Sequence, residues 1–119
     1  MAYRCKSCSA GFESKDELFD HFENEHAPYK YGSLAREAGD IVEQRALEYG
    51  PPETNLNHVA ELWSAYLGIE LTGWDYAAMM MMAKIARGYD GAVDEDTAKD
   101  IAGYADAGWA TVVDRNRNS

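Results

Sequence analysis

CKSCSAGFESKDELFDHFENEH (residues 5–26) carries the spacing Cys5-x2-Cys8-x12-His21-x4-His26. Two thiolates on a tight turn and two imidazoles about one helical turn apart can close a tetrahedral shell around Zn2+. Ser14 and Glu17 form an S-x-x-E capping box that opens a helix before the histidines. Phe12 and Leu18 stand where so short a module needs its few core residues. A module of this size buries too little surface to fold alone, so metal binding supplies most of its folding energy. A redox C-x-x-C pair would account for Cys5 and Cys8, but it requires neither the histidine spacing nor Phe12 and Leu18.

Over residues 3–26 these features resemble the C2H2 zinc-finger family, with ligands and core positions matching. The resemblance implies a ββα fold and a structural Zn2+ held by Cys5, Cys8, His21 and His26. Fingers of that family read bases from positions around the helix start. Counted back from His21, those positions are Ser14, Glu17 and Asp20, with Asp16 beside them. Residues 1–30 hold four basic side chains against six acidic ones, so the cations that neutralise phosphate are missing. Duplex DNA is an unfavourable partner, and the expected role is protein contact or packing.

The chain as a whole is acidic too. It has 119 residues, 21 Asp and Glu against 11 Lys and Arg, and a formal net charge of −10. Such a surface repels phosphate backbones and favours solubility; halophilic adaptation is the second reading. Only two cysteines occur, so a long-range disulfide framework is excluded. There is no run of about 18 apolar residues and no basic-then-apolar leader. The expectation is a soluble cytoplasmic protein, in a host cell if viral, with no membrane segment.

APYKYGS (27–33) reads as a linker, giving a finger at 1–27, a linker at 28–33 and a helical domain at 34–119. The first helix starts at Ser33, carries Leu34, Ala38, Ile41, Val42 and Tyr49 on one stripe, and stops at Gly50-Pro51-Pro52. The second runs from about Leu56 to Leu67 and ends at Gly68. Thr72 and Asp75 resemble a capping box that opens the third, which runs to Gly88. Its MMMM stretch (79–82) covers every side, as in a helix central to a bundle or a dimer. The fourth begins near Asp94 with a stripe of Ala98, Ile101, Ala102, Ala105, Trp109, Val112 and Val113. Gly103 and Gly108 inside it allow close packing. The predicted fold is mainly α, with a ββα finger followed by a compact four-helix bundle.

EYGPPETNLNHVAELWSAYLG (48–68), MMMMAKIARG (79–88) and DIAGYA (100–105) resemble a family of small helical domains of unknown function, common in phages, prophages and archaeal viruses. Such domains are distantly similar to MazG-like nucleotide pyrophosphohydrolases. That similarity implies Mg2+ on clustered carboxylates, with Glu61 and Asp100 as catalytic candidates. The family's paired E-x-x-E and E-x-x-D motifs are not reproduced: Glu37, Asp40 and Glu43 share the first helix, while the second offers Glu61 alone. Arg45 and Lys84 fall among apolar positions and should be partly buried, which calls for ion pairing with a carboxylate such as Glu61 or Asp75. Together with Arg87 they could clamp a phosphate. Asp100 lies opposite the apolar stripe, which predicts exposure unless a second subunit meets it.

Two functions are compatible with this. A viral accessory protein that binds or hydrolyses nucleotides requires Arg45, Lys84, Glu61 and Asp100 to converge on one pocket, at a homodimer interface. A non-enzymatic interaction, regulatory or virion-associated protein, acting through a protein partner or self-association, requires ion-paired cations, no shared pocket, and an exposed apolar or Met-rich patch.

Overall fold

The computed structural model describes residues 2–88, 91 and 93–117. They fall into two compact units, Met1–Ser33 and Leu34–Ser119.

In the first unit β1 (Tyr3–Arg4) and β2 (Gly11–Phe12) pair antiparallel, Tyr3 opposite Phe12 and Arg4 opposite Gly11. The turn between them closes through Cys5 N–H to Ala10 O (2.8 Å) and Ser9 N–H to Cys5 O (2.7 Å). Ser9 makes this reversal with a left-handed backbone, φ 67°. Helix α1 (Lys15–Glu25) starts where Ser14 leaves the extended region and its Oγ accepts the Glu17 N–H at 3.2 Å. No residue of α1 is buried.

The second unit is helical: α2 (Ser33–Tyr49), which begins on the last residue of the first unit, α3 (Pro52–Leu67), α4 (Gly73–Ala86) and α5 (Glu95–Arg117). α3 starts a turn before Leu56, because proline is tolerated in a first helical turn, where its missing N–H would be unbonded anyway. Gly68 ends α3 in the left-handed conformation, φ 73°. Ser64 then anchors the following turn, its Oγ accepting the Leu71 N–H at 2.8 Å. The capping box is complete: Thr72 N–H donates to Asp75 Oδ2 (2.8 Å) and Asp75 N–H to Thr72 Oγ1 (3.1 Å). Asp94 caps α5 by accepting the Thr97 N–H at 2.8 Å. Those contacts with Thr97 hold the Asp94 carboxyl below its usual range. No helix is long and apolar enough to cross a membrane.

Helices α3, α4 and α5 pack tightly on one another through small residues. Ala60, Gly73, Ala77, Ala107, Gly108 and Thr111 are buried, with Leu56 the one large buried side chain of this unit among the described residues. A Cβ at Gly108 would lie 2.6 Å from that of Ala77, and one at Gly73 would lie 2.7 Å from Thr111 Cγ2. This crossing excludes bulk, which corrects the expected orientation of α5. Its inward stripe runs through Tyr104, Ala107, Gly108 and Thr111, whereas Trp109 and Val113 face outward, 59% and 39% exposed. Large apolar residues implied the wrong face, because the close approach of α4 admits only small ones. The expected compact four-helix bundle is also modified. α2 does not close against the other three and meets α5 through side chains, a Lys99–Glu37 ion pair at 2.8 Å and Val42 beside Gly103. A cavity of about 600 Å3 remains between them.

A candidate metal centre and a cationic groove

The β1–β2 turn and α1 bring Cys5, Cys8, His21 and His26 together, their ligand atoms all within 4.8 Å of one another. His21 Nε2 lies 3.2 Å from Cys8 Sγ and 3.2 Å from His26 Nε2. A tetrahedral ion with ordinary metal–sulfur and metal–nitrogen bonds needs ligand separations of about 3.3–3.8 Å, so the four side chains are close enough to bind one. Burial raises the Cys5 thiol, but hydrogen bonds from the Ser7 and Cys8 backbone and side chains outweigh it and hold the thiol below its ordinary value. That favours the thiolate a metal requires. Phe12 lies against the site, its ring centroid 4.8 Å from that of His21. Among the described residues this is the one group of three or more such ligands close enough to hold an ion.

The second site is the cavity between α2 and the α3–α5 unit. Arg45, Lys84, Lys99 and Asp100 line it with Asn55, Tyr49, Tyr76 and Tyr104. Lys84 is embedded, its side chain 16% exposed, and its Nζ meets Asp100 Oδ2 at 3.0 Å. The anticipated partners lie elsewhere: Asp75 is committed to the α4 cap, and Glu61 is exposed outside the groove. Arg45 is exposed rather than partly buried, and its guanidinium lies 5.3 Å from the Tyr49 ring centroid. Arg87 is exposed past the end of α4 and does not line the groove. Of the four residues required to converge, Arg45, Lys84 and Asp100 do so and Glu61 does not. Asp100, one turn before Tyr104 on α5, lines the groove while remaining exposed, as its position opposite the apolar stripe predicts.

The helical part matches the model described as "Domain of unknown function (DUF6378)" over residues 33–111. The chain belongs to the DUF6378 family. It is 44% identical over 75 residues to the Gene 55 protein of Mycobacterium phage L5, covering 61% of this chain and 48% of that protein. It is 36% identical over 74 residues to the Gene 55 protein of Mycobacterium phage D29, covering 61% and 49%. The chain thus spans about half the length of these curated relatives. No solved structure matches it. The DUF6378 region contains the whole groove, and the Cys–His cluster lies outside it.

Within this DUF6378 domain, sequence reading overlooked Lys99 and the tyrosines. Lys99 is held by Glu37 and, at 3.3 Å, by Glu95, which raise its pKa. Tyr76 packs edge-to-face on Tyr104 with centroids 6.3 Å apart. Burial first, then Tyr104, pushes its hydroxyl pKa up. The Glu95–Lys99 spacing of one helical turn was a usable signal; nothing in the sequence marked the tyrosines as groove residues.

Proposed function

We propose that the chain is a phage-type accessory protein in which a zinc finger is joined to a nucleotide-binding helical domain. Zn2+ is the ion best suited to two thiolates and two imidazoles in a closed tetrahedral shell, and such a shell leaves no open position for chemistry. Its role is then to fold the first unit, which serves as a contact or packing module.

For the helical domain the supporting observation is a gathering of cations. The chain has 21 acidic and 11 basic residues, yet the groove lining gathers three cations, Arg45, Lys84 and Lys99, with one carboxylate, Asp100; Lys84 is paired with Asp100, and Lys99 with Glu37 and Glu95. A phosphate drawn to this cluster would bind by displacing those carboxylates from the lysines. Three tyrosines, Leu56 and Pro52 supply the apolar, ring-bearing wall that a flat base requires. A nucleoside phosphate combines both features. Binding without turnover is favoured over the Mg2+-dependent hydrolysis of MazG-like enzymes. Asp100 is the groove's single carboxylate and is already paired with Lys84, so the residues do not provide a clustered-carboxylate magnesium site.

The test is a panel of NTPs, dNTPs and monophosphates against the zinc-loaded protein, read by calorimetry and by pyrophosphate release with Mg2+ or Mn2+. Saturable binding lost in Lys84→Ala supports the reading. Absence of binding by every member overturns it, and pyrophosphate release would convert it to an enzyme.

A further inference from the structure

We infer that the groove is a nucleoside monophosphate site whose phosphate is captured by Arg45, an assignment that rests on the nucleotide-binding reading above and narrows it. Helix α2 sorts its charges onto two faces. Ala38, Ile41, Val42, Ala46 and Tyr49 line the groove, and Arg45 is the one charged residue of α2 among them. Asp40, Glu43 and Glu48 line a separate depression with Gln44 and Leu47, and the Glu48 carboxylate accepts a hydrogen bond from Gln44 Nε2 at 3.2 Å. The carboxylates nearest to Arg45 in sequence therefore serve another face. Lys84 and Lys99 are both ion-paired, so among the described residues Arg45 is the one groove cation without a carboxylate partner.

Its guanidinium lies over the Tyr49 ring, 5.3 Å from the centroid, close enough for cation–π attraction. A guanidinium held by its face keeps the N–H donors around its edge available for a bidentate contact with phosphate oxygens. The state of the two lysines then sets how many phosphates the groove accepts. Lys84 is held by Asp100 alone, whose side chain is half exposed, so this carboxylate can turn to water and yield one further cation. Lys99 is held by both Glu37 and Glu95. A single phosphate is satisfied by Arg45 with Lys84. The further phosphates of a triphosphate would have to displace two carboxylates from Lys99 or lie against them, and like charges brought together in a site oppose binding strongly.

The test is calorimetry of the zinc-loaded full chain without added divalent cation, with dAMP, dGMP, dCMP, dTMP and the matching triphosphates as probes. Arg45→Ala and Arg45→Lys run alongside Arg87→Ala, which removes one positive charge outside the groove. Both positions are exposed, so circular dichroism should be unchanged in every variant. At least one monophosphate is expected to bind about tenfold or more tighter than its triphosphate. Arg45→Ala should weaken that binding about tenfold to a hundredfold. Arg45→Lys should recover only part of the loss, because an ammonium cannot make the bidentate contact, and Arg87→Ala should leave binding as it is. A triphosphate that binds as tightly as its monophosphate overturns the inference while leaving the groove a nucleotide site. So does monophosphate binding that survives Arg45→Ala, or that falls equally in Arg87→Ala. No binding by any probe overturns the nucleotide reading itself, and this inference with it.

Discussion

The two units of this chain are built on opposite principles. The first has no buried residue in its helix and gathers four metal-ligating side chains within 4.8 Å. The second has no comparable ligand cluster among its described residues and closes three helices over alanines and glycines. One is a fold organised by donor atoms, the other by the absence of side-chain bulk. Loss of metal and loss of packing should therefore break different halves of the molecule.

The largest expected effect is on the first unit. Chelation of the zinc-loaded protein, or Cys8→Ala, should abolish its fold, because binding energies of about 10–16 kcal/mol are typical where zinc does the folding. In a 1H–15N spectrum the amide signals of residues 2–30 should collapse while those of α3–α5 remain dispersed. Loss of both sets together would break the contrast. Next is Gly108→Leu, whose side chain must displace Ala77 and the Trp74 ring. A cost of about 3 kcal/mol in urea unfolding is expected from overpacking, with metal affinity unchanged.

A smaller effect sharpens the reading of the groove. Removing the Lys84 ammonium should weaken nucleotide binding roughly tenfold to a hundredfold, the range for a charged hydrogen bond worth about 1.5–3 kcal/mol, as measured by calorimetry. Thr72→Ala should cost about 1 kcal/mol of stability through loss of the α4 cap. The smallest effect concerns Asp94. Its pKa is depressed in the folded state, so it stabilises α5 above the ordinary carboxylate range, and that contribution fades as pH falls through the lowered value. Asp94→Asn should flatten this acid limb of the stability curve slightly and leave neutral-pH melting nearly unchanged.

How far the sequence could be read tracks the same contrast. A metal site needs particular residue types at particular spacings, so the cluster of Cys5, Cys8, His21 and His26 was legible from order alone. Caps and breakers were legible for the same local reason: Ser14, Thr72 with Asp75, Asp94 and Gly68 act within a few residues of themselves. The facing of α5 was not legible, because the choice of Ala107, Gly108 and Thr111 over Trp109 and Val113 is made by the closeness of α4. Asp100 is exposed, as its place opposite the apolar stripe predicts, and its carboxylate meets Lys84 of the neighbouring helix α4. Arg45 falls within the apolar stripe of α2 yet is exposed, because only Ala38 and Val42 of that helix pack at the core.

The most direct test of the account is a 1H–15N titration of the zinc-loaded chain with the tightest-binding nucleotide of the panel. Saturable shifts confined to Arg45, Tyr76, Lys84, Lys99, Tyr104 and their neighbours, with α1 unmoved, are predicted. Shifts centred on α1, or none at saturating nucleotide, would contradict the assignment of the groove as the binding site.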